Sequence, residues 1–487
     1  MVMILPAAAI CVAEMQSNDT SAATNFTGYT AISTPQDLAK IGNDAAYPLS
    51  GKYYLTNDID FAGVDTNGAS NGNFTPMGSS YSVYFSGTFD GNGHVISGIN
   101  ISVNASSNDT YAGLFGYVAN CTISNLGIVG GSIASTASYG NAYAGGIASY
   151  ARTATIDNCY NTCSVTATVS GDLNNSYAGG IAGQAGSTTV KNCYNTGSIN
   201  ASSSAKGSYA GGIAGVTYSS VECCYNAGPI TASVSSGYQG ARADAGGIAA
   251  QSSSTIDNCS NSGSIKASSL GSATYPSAGG IIGEADSSTP TVENCYSIGS
   301  ITASKSISYD TGVASAGGIA GSSNSMTISH CYFLSSNVSG GNTVGRGTPN
   351  VNGSGGKSVS NLTPSLGSAQ NGNTTYYTGT GGWDFSNTWT IVFGENHGYP
   401  MLISLSDSYP ETPGEGGSGS GIGSSGSNTL LWVVVAIVVV IIVIIVLLAF
   451  FLPAVLSMII KTIIEILKMI AGFFSKIFGK LSGGKQP

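Results

Sequence analysis

The sequence predicts an all-β fold, a parallel β-helix (solenoid) followed by one transmembrane helix, and three observations lead to it. Two short phrases recur about every 34 residues through the middle of the chain. The apolar runs within each unit are too short for helices and are broken by Gly, Asn and Ser clusters. Near the end, Leu430 to Leu452 is an unbroken run of 23 apolar residues, enough at ~1.5 Å per residue to span ~30 Å of hydrocarbon.

In chain order, residues 1–13 form a short apolar stretch, with Cys11, Val12 and Ala13 offering a small-residue cleavage signal before Glu14. It reads as a secretion signal, and because no Lys or Arg precedes it the start is expected to be truncated. Residues 14–28 are a lead segment. Fourteen Asn-x-Ser/Thr acceptors follow the signal, Asn18, Asn25, Asn73, Asn100, Asn104, Asn108, Asn120, Asn174, Asn200, Asn337, Asn352, Asn361 and Asn373 among them. They permit a glycosylated exterior.

Residues 111–340 hold seven units, the first degenerate. YAGGIAG stands at Tyr177 to Gly183 and Tyr209 to Gly215, with variants from Tyr111, Tyr143, Asp244, Ser277 and Ser315. A second phrase follows each: TIDNCYNTCSV from Thr155, TVKNCYNTGSI from Thr189, SVECCYNAGPI from Ser220, TIDNCSNSGSI from Thr255, TVENCYSIGSI from Thr291 and TISHCYF from Thr327. Repetition at this period marks a solenoid in which each unit buries its apolar side only against its neighbours. Three short strands per coil, of roughly triangular section, are expected to stack parallel at ~4.8 Å. The paired glycines of AGGI are expected where the coil bends or chains pass closely, with φ values that favour Gly.

Stacking in register turns equivalent positions into columns. Cys159, Cys193, Cys224, Cys259, Cys295 and Cys331 form one; no His or carboxylate recurs with them, so they read as small buried hydrophobes and not as a metal or redox site. Asn158, Asn192, Asn258 and Asn294 form a second, interrupted by Cys223 and His330, whose stacked amides can bond along the axis. Off the ladder, Cys121, Cys163 and Cys223 are free to pair in an oxidising exterior. Tyr111, Tyr143, Tyr177 and Tyr209 make a third column and Tyr160, Tyr194, Tyr225, Tyr296 and Tyr332 a fourth. An exposed tyrosine row would suit sugar rings or a protein partner, although cross-rung stacking alone also accounts for it. Loops of varying length, such as Ser268 to Ser277 and Lys305 to Ser315, mark one edge as the place for recognition.

The AGGIAG phrases followed by NCYNTGSI resemble the GLUG-motif repeats of bacterial and archaeal adhesin-like surface proteins. That resemblance implies a right-handed β-helix. It extends to residues 29–110, where YTAISTPQDLAKIG, YYLTNDIDFAG and FSGTFDGNGHVISGINI look like the opening coils of that family, and to a C-terminal cap over 341–408, where Trp383 to Leu402 ends in GYPML.

Beyond the cap, residues 409–429 have the Gly/Ser/Pro composition of a flexible tether. After the span at 430–452, residues 453–487 carry Ser457, Lys461, Glu465, Lys468, Lys476 and Lys480 at intervals that draw one polar stripe on an amphipathic helix. The lysines place the tail on the cytoplasmic side, against anionic headgroups, with the solenoid outside and the whole a single-pass cell-membrane protein. Lys461, Glu465 and Lys468 argue against a second span. Before residue 430 ten Lys or Arg stand against 23 Asp or Glu (−13), and after it five Lys against Glu465 (+4), together the net −9. An acidic exterior excludes nucleic acid as the partner.

Candidate chemistry is sparse. Some members of the resembled family carry the repeats beside a zinc metallopeptidase, yet HExxH is absent and the histidines are His94, His330 and His397. β-helical polysaccharide lyases need clustered carboxylates with Arg or Lys, which the repeats do not show. Asp58, Asp60 and Asp65 depart from calcium-loop spacing and read as a turn cluster. The glycine-rich phrases open no helix and are not phosphate loops. No cofactor or metal and no catalytic residue is expected. The leading expectation is a membrane-anchored adhesin-like rod that contacts surfaces, glycans, other cells or itself. An envelope or sheath component whose rods associate laterally is the alternative, and a polysaccharide-degrading β-helix enzyme a remote one.

Overall fold

The computed structural model describes residues 25–403, apart from 69–71, 172, 205, 236–237, 272–273, 287–288, 307–311, 324, 340–341, 343, 347–349, 352–356, 360–387 and 391–399. The expected signal, tether, membrane span and basic tail lie outside the described residues, as does most of the cap. Among the described residues no helix is long and apolar enough to cross a membrane.

The chain forms an all-β parallel solenoid. One turn runs through the strands Asn175–Gly179, Ala182–Gly186, Thr189–Lys191, Tyr194–Asn195 and Ile199–Ser203 before Gly207–Gly211 begins the next. Each strand pairs in parallel with its counterpart one turn on, Tyr177 opposite Tyr209 and Ile199 opposite Ile230. Equivalent strands make sheets of seven, eight, 19 and seven members. A turn therefore holds five strands in four sheets, where three had been expected. One added break falls between Gly179 and Ala182, at the AGGI phrase, and the other between Lys191 and Tyr194, at Asn192 with φ 53°.

The break at Asn192 recurs. Asn125, Asn158, Asn192, Cys223, Asn258, Asn294 and His330 all sit between φ 51° and 55°. This left-handed region favours Asn, whose short side chain satisfies backbone groups locally. The Asn column noted in the sequence is thus a corner, and Cys223 and His330 keep the corner conformation although their side chains differ.

The interior is filled by rows of like residues. Ile147, Ile181, Ile213, Ile248, Ile281 and Ile319 form one, Ile156, Val190, Val221, Ile256, Val292 and Ile328 another, and Ile133, Val165, Ile199, Ile230, Ile265 and Ile301 a third, all buried. Each such side chain contributes roughly 1.5–3 kcal/mol relative to exposure. At the N-terminal end a short helix, Pro35–Lys40, adds Leu38 to the core. It starts where it does because Thr34 Oγ1 accepts from Asp37 N at 3.1 Å and Pro35 presets φ in the first turn.

The AGGI glycines are needed for space. None of Gly146, Gly180, Gly212, Gly247 or Gly280 has a positive φ. A Cβ on Gly212 would lie 2.1 Å from Gly247 O and 2.5 Å from Asn226 Cγ, and Gly180 and Gly247 meet the same pair of neighbours one turn away on either side. Close approach, and not a special φ, explains the second glycine of the phrase.

Candidate functional site

The glycine contact leads to a ladder inside the solenoid. Asn161 Nδ2 donates to Asn195 Oδ1 at 2.8 Å, Asn195 to Asn226 at 2.9 Å, Asn226 to Asn261 at 2.8 Å, and Asn261 to Ser297 Oγ at 3.2 Å. Each amide also donates to the carbonyl two residues on, of Cys163, Gly197, Gly228 and Gly263. These asparagines are buried and satisfied, as buried amides must be. The axial ladder is therefore built from the second Asn of NCYN. Of the first column, Asn158 bonds along the axis to Asn125 at 2.9 Å, whereas Asn192 and Asn294 donate to Asp157 and Asp257.

The cysteine column lies in the core as expected. Each thiol donates to the carbonyl two residues before it, exposed by the left-handed corner: Cys193 to Lys191 at 3.0 Å, Cys224 to Glu222 at 3.1 Å, Cys259 to Asp257 at 3.2 Å, Cys331 to Ser329 at 3.2 Å. Leu126 holds the place of Cys159 one turn earlier, confirming an apolar position. Burial pushes the thiols of Cys159, Cys193, Cys224 and Cys295 well above the ordinary range, which keeps these four protonated. Off the ladder, Cys121 and Cys163 are free and buried, and burial raises both to about 12. Cys223 is disulfide-bonded.

The tyrosine columns stack. Ring centroids of Tyr111, Tyr143, Tyr177 and Tyr209 are 5.2, 4.8 and 5.1 Å apart, within 12° of parallel. Tyr160, Tyr194 and Tyr225 repeat this at 4.6 and 5.1 Å. Each ring covers its neighbour, so Tyr143 and Tyr209 are buried and Tyr111 and Tyr177 half-buried. Of the two readings of this row, cross-rung stacking is the one the geometry shows, and the ring faces within the column are occupied by neighbouring rings. The column ends at Asp244, buried opposite Tyr209, where Gln251 Nε2 bridges the carboxylates of Asp244 and Glu284 at 3.1 and 3.2 Å, and Arg242 pairs with Glu284.

A second column runs Asp157, Lys191, Glu222, Asp257, Glu293 in successive turns. Three consecutive carboxylates repel, and burial raises Asp257 to about 7, with Glu293 and Glu222 adding to the shift and the Asn294 amide opposing it. The described part of the cap packs beside this column. Trp389–Thr390 pairs antiparallel with Met401–Leu402, the buried Trp389 Nε1 donates to Asn258 Oδ1 at 3.2 Å, and Tyr296 donates to Pro400 O at 2.6 Å.

The acidic turn cluster caps backbone. Asp65 Oδ1 accepts from Asn67 N and Gly68 N, Asp60 Oδ1 from Ala62 N and Ser97 Oγ, and Asp58 Oδ1 from Val95 N beside His94. Among the described residues no group of His, Cys, Asp and Glu is placed to hold a metal ion. Of the Asn-x-Ser/Thr acceptors, Asn100, Asn104, Asn108 and Asn120 are exposed, Asn73, Asn174, Asn200 and Asn337 half-buried, and Asn352, Asn361 and Asn373 lie outside the described residues. Asn73 is held by bonds to Gly98 and Asn100.

Two outward features remain: the first lies in the variable loops that the sequence marked for recognition, and the second, a cleft, was not anticipated from the sequence. In the loops that precede the AGGI-type strands, Tyr139, Leu173, Tyr238, Leu270 and Val313 are 47–68% exposed. They occupy the same loop of different turns, the variable edge. Elsewhere Tyr81, Ser82, Tyr84, Tyr117, Asn120, Arg152 and Thr153 line a cleft of about 460 Å³.

Taken together, the fold and its columns define a repeat solenoid held by internal amide, thiol and aliphatic ladders. It carries the GLUG motif: the family model described as the GLUG motif matches residues 174–200, one turn of the array, consistent with a GLUG-motif repeat family. No curated protein matches the chain. Among solved structures, one from Bacteroides ovatus, named as a candidate immunoglobulin A1 protease, is similar with TM-score 0.45 and 20% identity over 77% of this chain and 92% of that one. A likeness at that level assigns no activity here.

Proposed function

We propose that the chain is a cell-surface adhesin-like solenoid, exported, held by the apolar segment 430–452, and raised from the membrane by the Gly/Ser tether. The observation that supports adhesion is the loop edge, where five large apolar side chains stand exposed in the corresponding loops of different turns. Exposed apolar groups arrayed at one edge favour contact with a partner surface. Loops on a rigid scaffold are also where recognition concentrates.

The test is adhesion of cells displaying the full chain to other cells and to glycan-coated surfaces. A variant with Tyr139→Ser, Leu173→Ser and Leu270→Ser should be displayed equally and adhere less. Equal adhesion by the variant, or by cells lacking the protein, would overturn the proposal.

A further inference from the structure

The cleft at Tyr81 and Arg152 lies apart from the loop edge and is built by a different part of the chain. It is formed where a tight loop is clamped to the strand Phe115–Ala119 at both ends: Met77 N bonds Leu114 O at 3.0 Å and Phe85 N bonds Tyr117 O at 2.9 Å. Gly78, φ 75°, makes the close approach possible, since a Cβ there would lie 2.6 Å from Tyr117 O. Within the loop, Val83 N returns to Ser80 O at 3.1 Å and to Ser80 Oγ at 3.2 Å, which holds Tyr81 outward, 66% exposed. The walls are thus fixed before any ligand arrives, which lowers the ordering cost of binding.

The walls are aromatic. Tyr81 stands edge-on to Tyr117, centroids 6.1 Å apart at 89°, and Tyr84 is tilted at 55° to the same ring at 6.4 Å. Tyr117 is itself backed by Tyr150, stacked at 4.7 Å. Arg152, exposed at the end of the strand Ala148–Arg152, lies 5.8 Å from the Tyr81 ring centroid. Ser82, Asn120 and Thr153 add hydroxyl and amide groups at the rim.

Charge and polarity narrow the ligand. Among the described residues that line the cleft, Arg152 is the one charged side chain and none is a carboxylate. One guanidinium without a carboxylate, in a chain whose part before residue 430 carries −13 by ten basic against 23 acidic residues, is a place for a monoanion. A phosphate dianion would call for more cations, and an apolar chain would bury phenol, hydroxyl and amide groups unpaired. A ring with an apolar face, several hydroxyls and one carboxylate satisfies every wall: tyrosine against the ring face, Asn and Ser for hydroxyls, the guanidinium fork for the carboxylate.

We propose that this cleft binds a carboxylated sugar, with Arg152 on the carboxylate and Tyr81 and Tyr84 against the ring. The volume falls within the ~300–1,000 Å³ of small-molecule sites. Asn120, an Asn-x-Thr acceptor on the rim, would place its own glycan in the cleft, so occupied Asn120 and bound ligand exclude each other.

The test uses the full chain in detergent micelles, made in a host without N-glycosylation, titrated with the methyl glycoside of galacturonic acid, a single ring with one carboxylate, and with its methyl ester. The expected result is saturable binding of the acid, at least about tenfold weaker for the ester and for Arg152→Gln, with Arg152→Lys between. Arg152 is exposed, and an unchanged thermal transition of Arg152→Gln verifies its fold. Binding of acid and ester alike, binding unaffected by Arg152→Gln, or no saturable binding of the acid overturns the proposal. Adhesion through the loop edge is read in a separate assay and stands or falls independently.

Discussion

Replacing Asn226 by Ala tests the internal ladder where it is most continuous. Asn226 Nδ2 donates to Gly228 O and Asn261 Oδ1, both at 2.8 Å, and its Oδ1 accepts from Asn195 Nδ2 at 2.9 Å and Gly228 N at 3.2 Å. Four bonds at ~1 kcal/mol each give about 4 kcal/mol, and partners left unpaired in the interior raise the cost further. The site is buried on every side, so water cannot replace the amide. Because a solenoid couples only neighbouring turns, the loss should be local. Hydrogen exchange should show protection falling in residues 190–265 while the turn at Ala142–Gly145 keeps its own. Asn192→Gly, at the corner, should cost only about 1 kcal/mol: Gly accepts φ 53° and one bond, to Asp157, is lost. An Asn226→Ala protein within ~1 kcal/mol of wild type in denaturant unfolding, with uniform exchange, would refute the ladder as a source of stability.

Other outcomes follow from the same columns. Gly212→Ala should prevent correct stacking, because its Cβ would lie 2.1 Å from Gly247 O, whereas Gly186→Ala, with its nearest contact at 3.8 Å, should be tolerated; melting curves of the two separate these cases. Thiol reagents should leave Cys159, Cys193, Cys224 and Cys295 unmodified in the native chain and label them after denaturation, as counted by mass spectrometry, since burial keeps them as neutral thiols. Asp257 is raised from 3.8 to about 7, so between those pH values the folded chain keeps a proton that the unfolded chain has lost. Stability contributed there falls as pH rises through that window. Asp257→Asn should therefore gain on wild type in unfolding midpoint from pH 5 to pH 8, and a constant difference would contradict the assignment.

Much of the solenoid was legible because the repeat carries one residue type per column. Strict recurrence of Cys159 through Cys331 and of the Ile and Val positions marks an apolar interior without any need for geometry. The asparagines divided differently. Asn158 and Asn161 recur equally well in NCYN, and the sequence does not say that the first adopts φ 51° at a corner while the second turns inward to bond Asn195. The tyrosine rows were visible as columns, but ring stacking at about 5 Å buries Tyr143 and Tyr209, a tertiary effect that periodicity does not encode. The cleft was not legible, because Tyr81 comes from the non-repetitive opening coils and meets Arg152 only through the clamp on Phe115–Ala119. Similarly, Trp389 joins Asn258 across 131 residues.

The central claim is that equivalent residues of successive turns lie one strand spacing apart. On the sheet that contains Ile199–Ser203, Thr166 faces Asn200 and Asn200 faces Thr231, half-buried positions that accept cysteine. Adjacent turns ~4.8 Å apart fit the ~4.4–6.8 Å Cα separation of a disulfide, and positions two turns apart do not. Mild oxidation followed by peptide mass spectrometry should find a cross-link in Thr166→Cys with Asn200→Cys and in Asn200→Cys with Thr231→Cys, and none in Thr166→Cys with Thr231→Cys. Cross-linking of the 166–231 pair as readily as the others, or of none, would contradict the stacking.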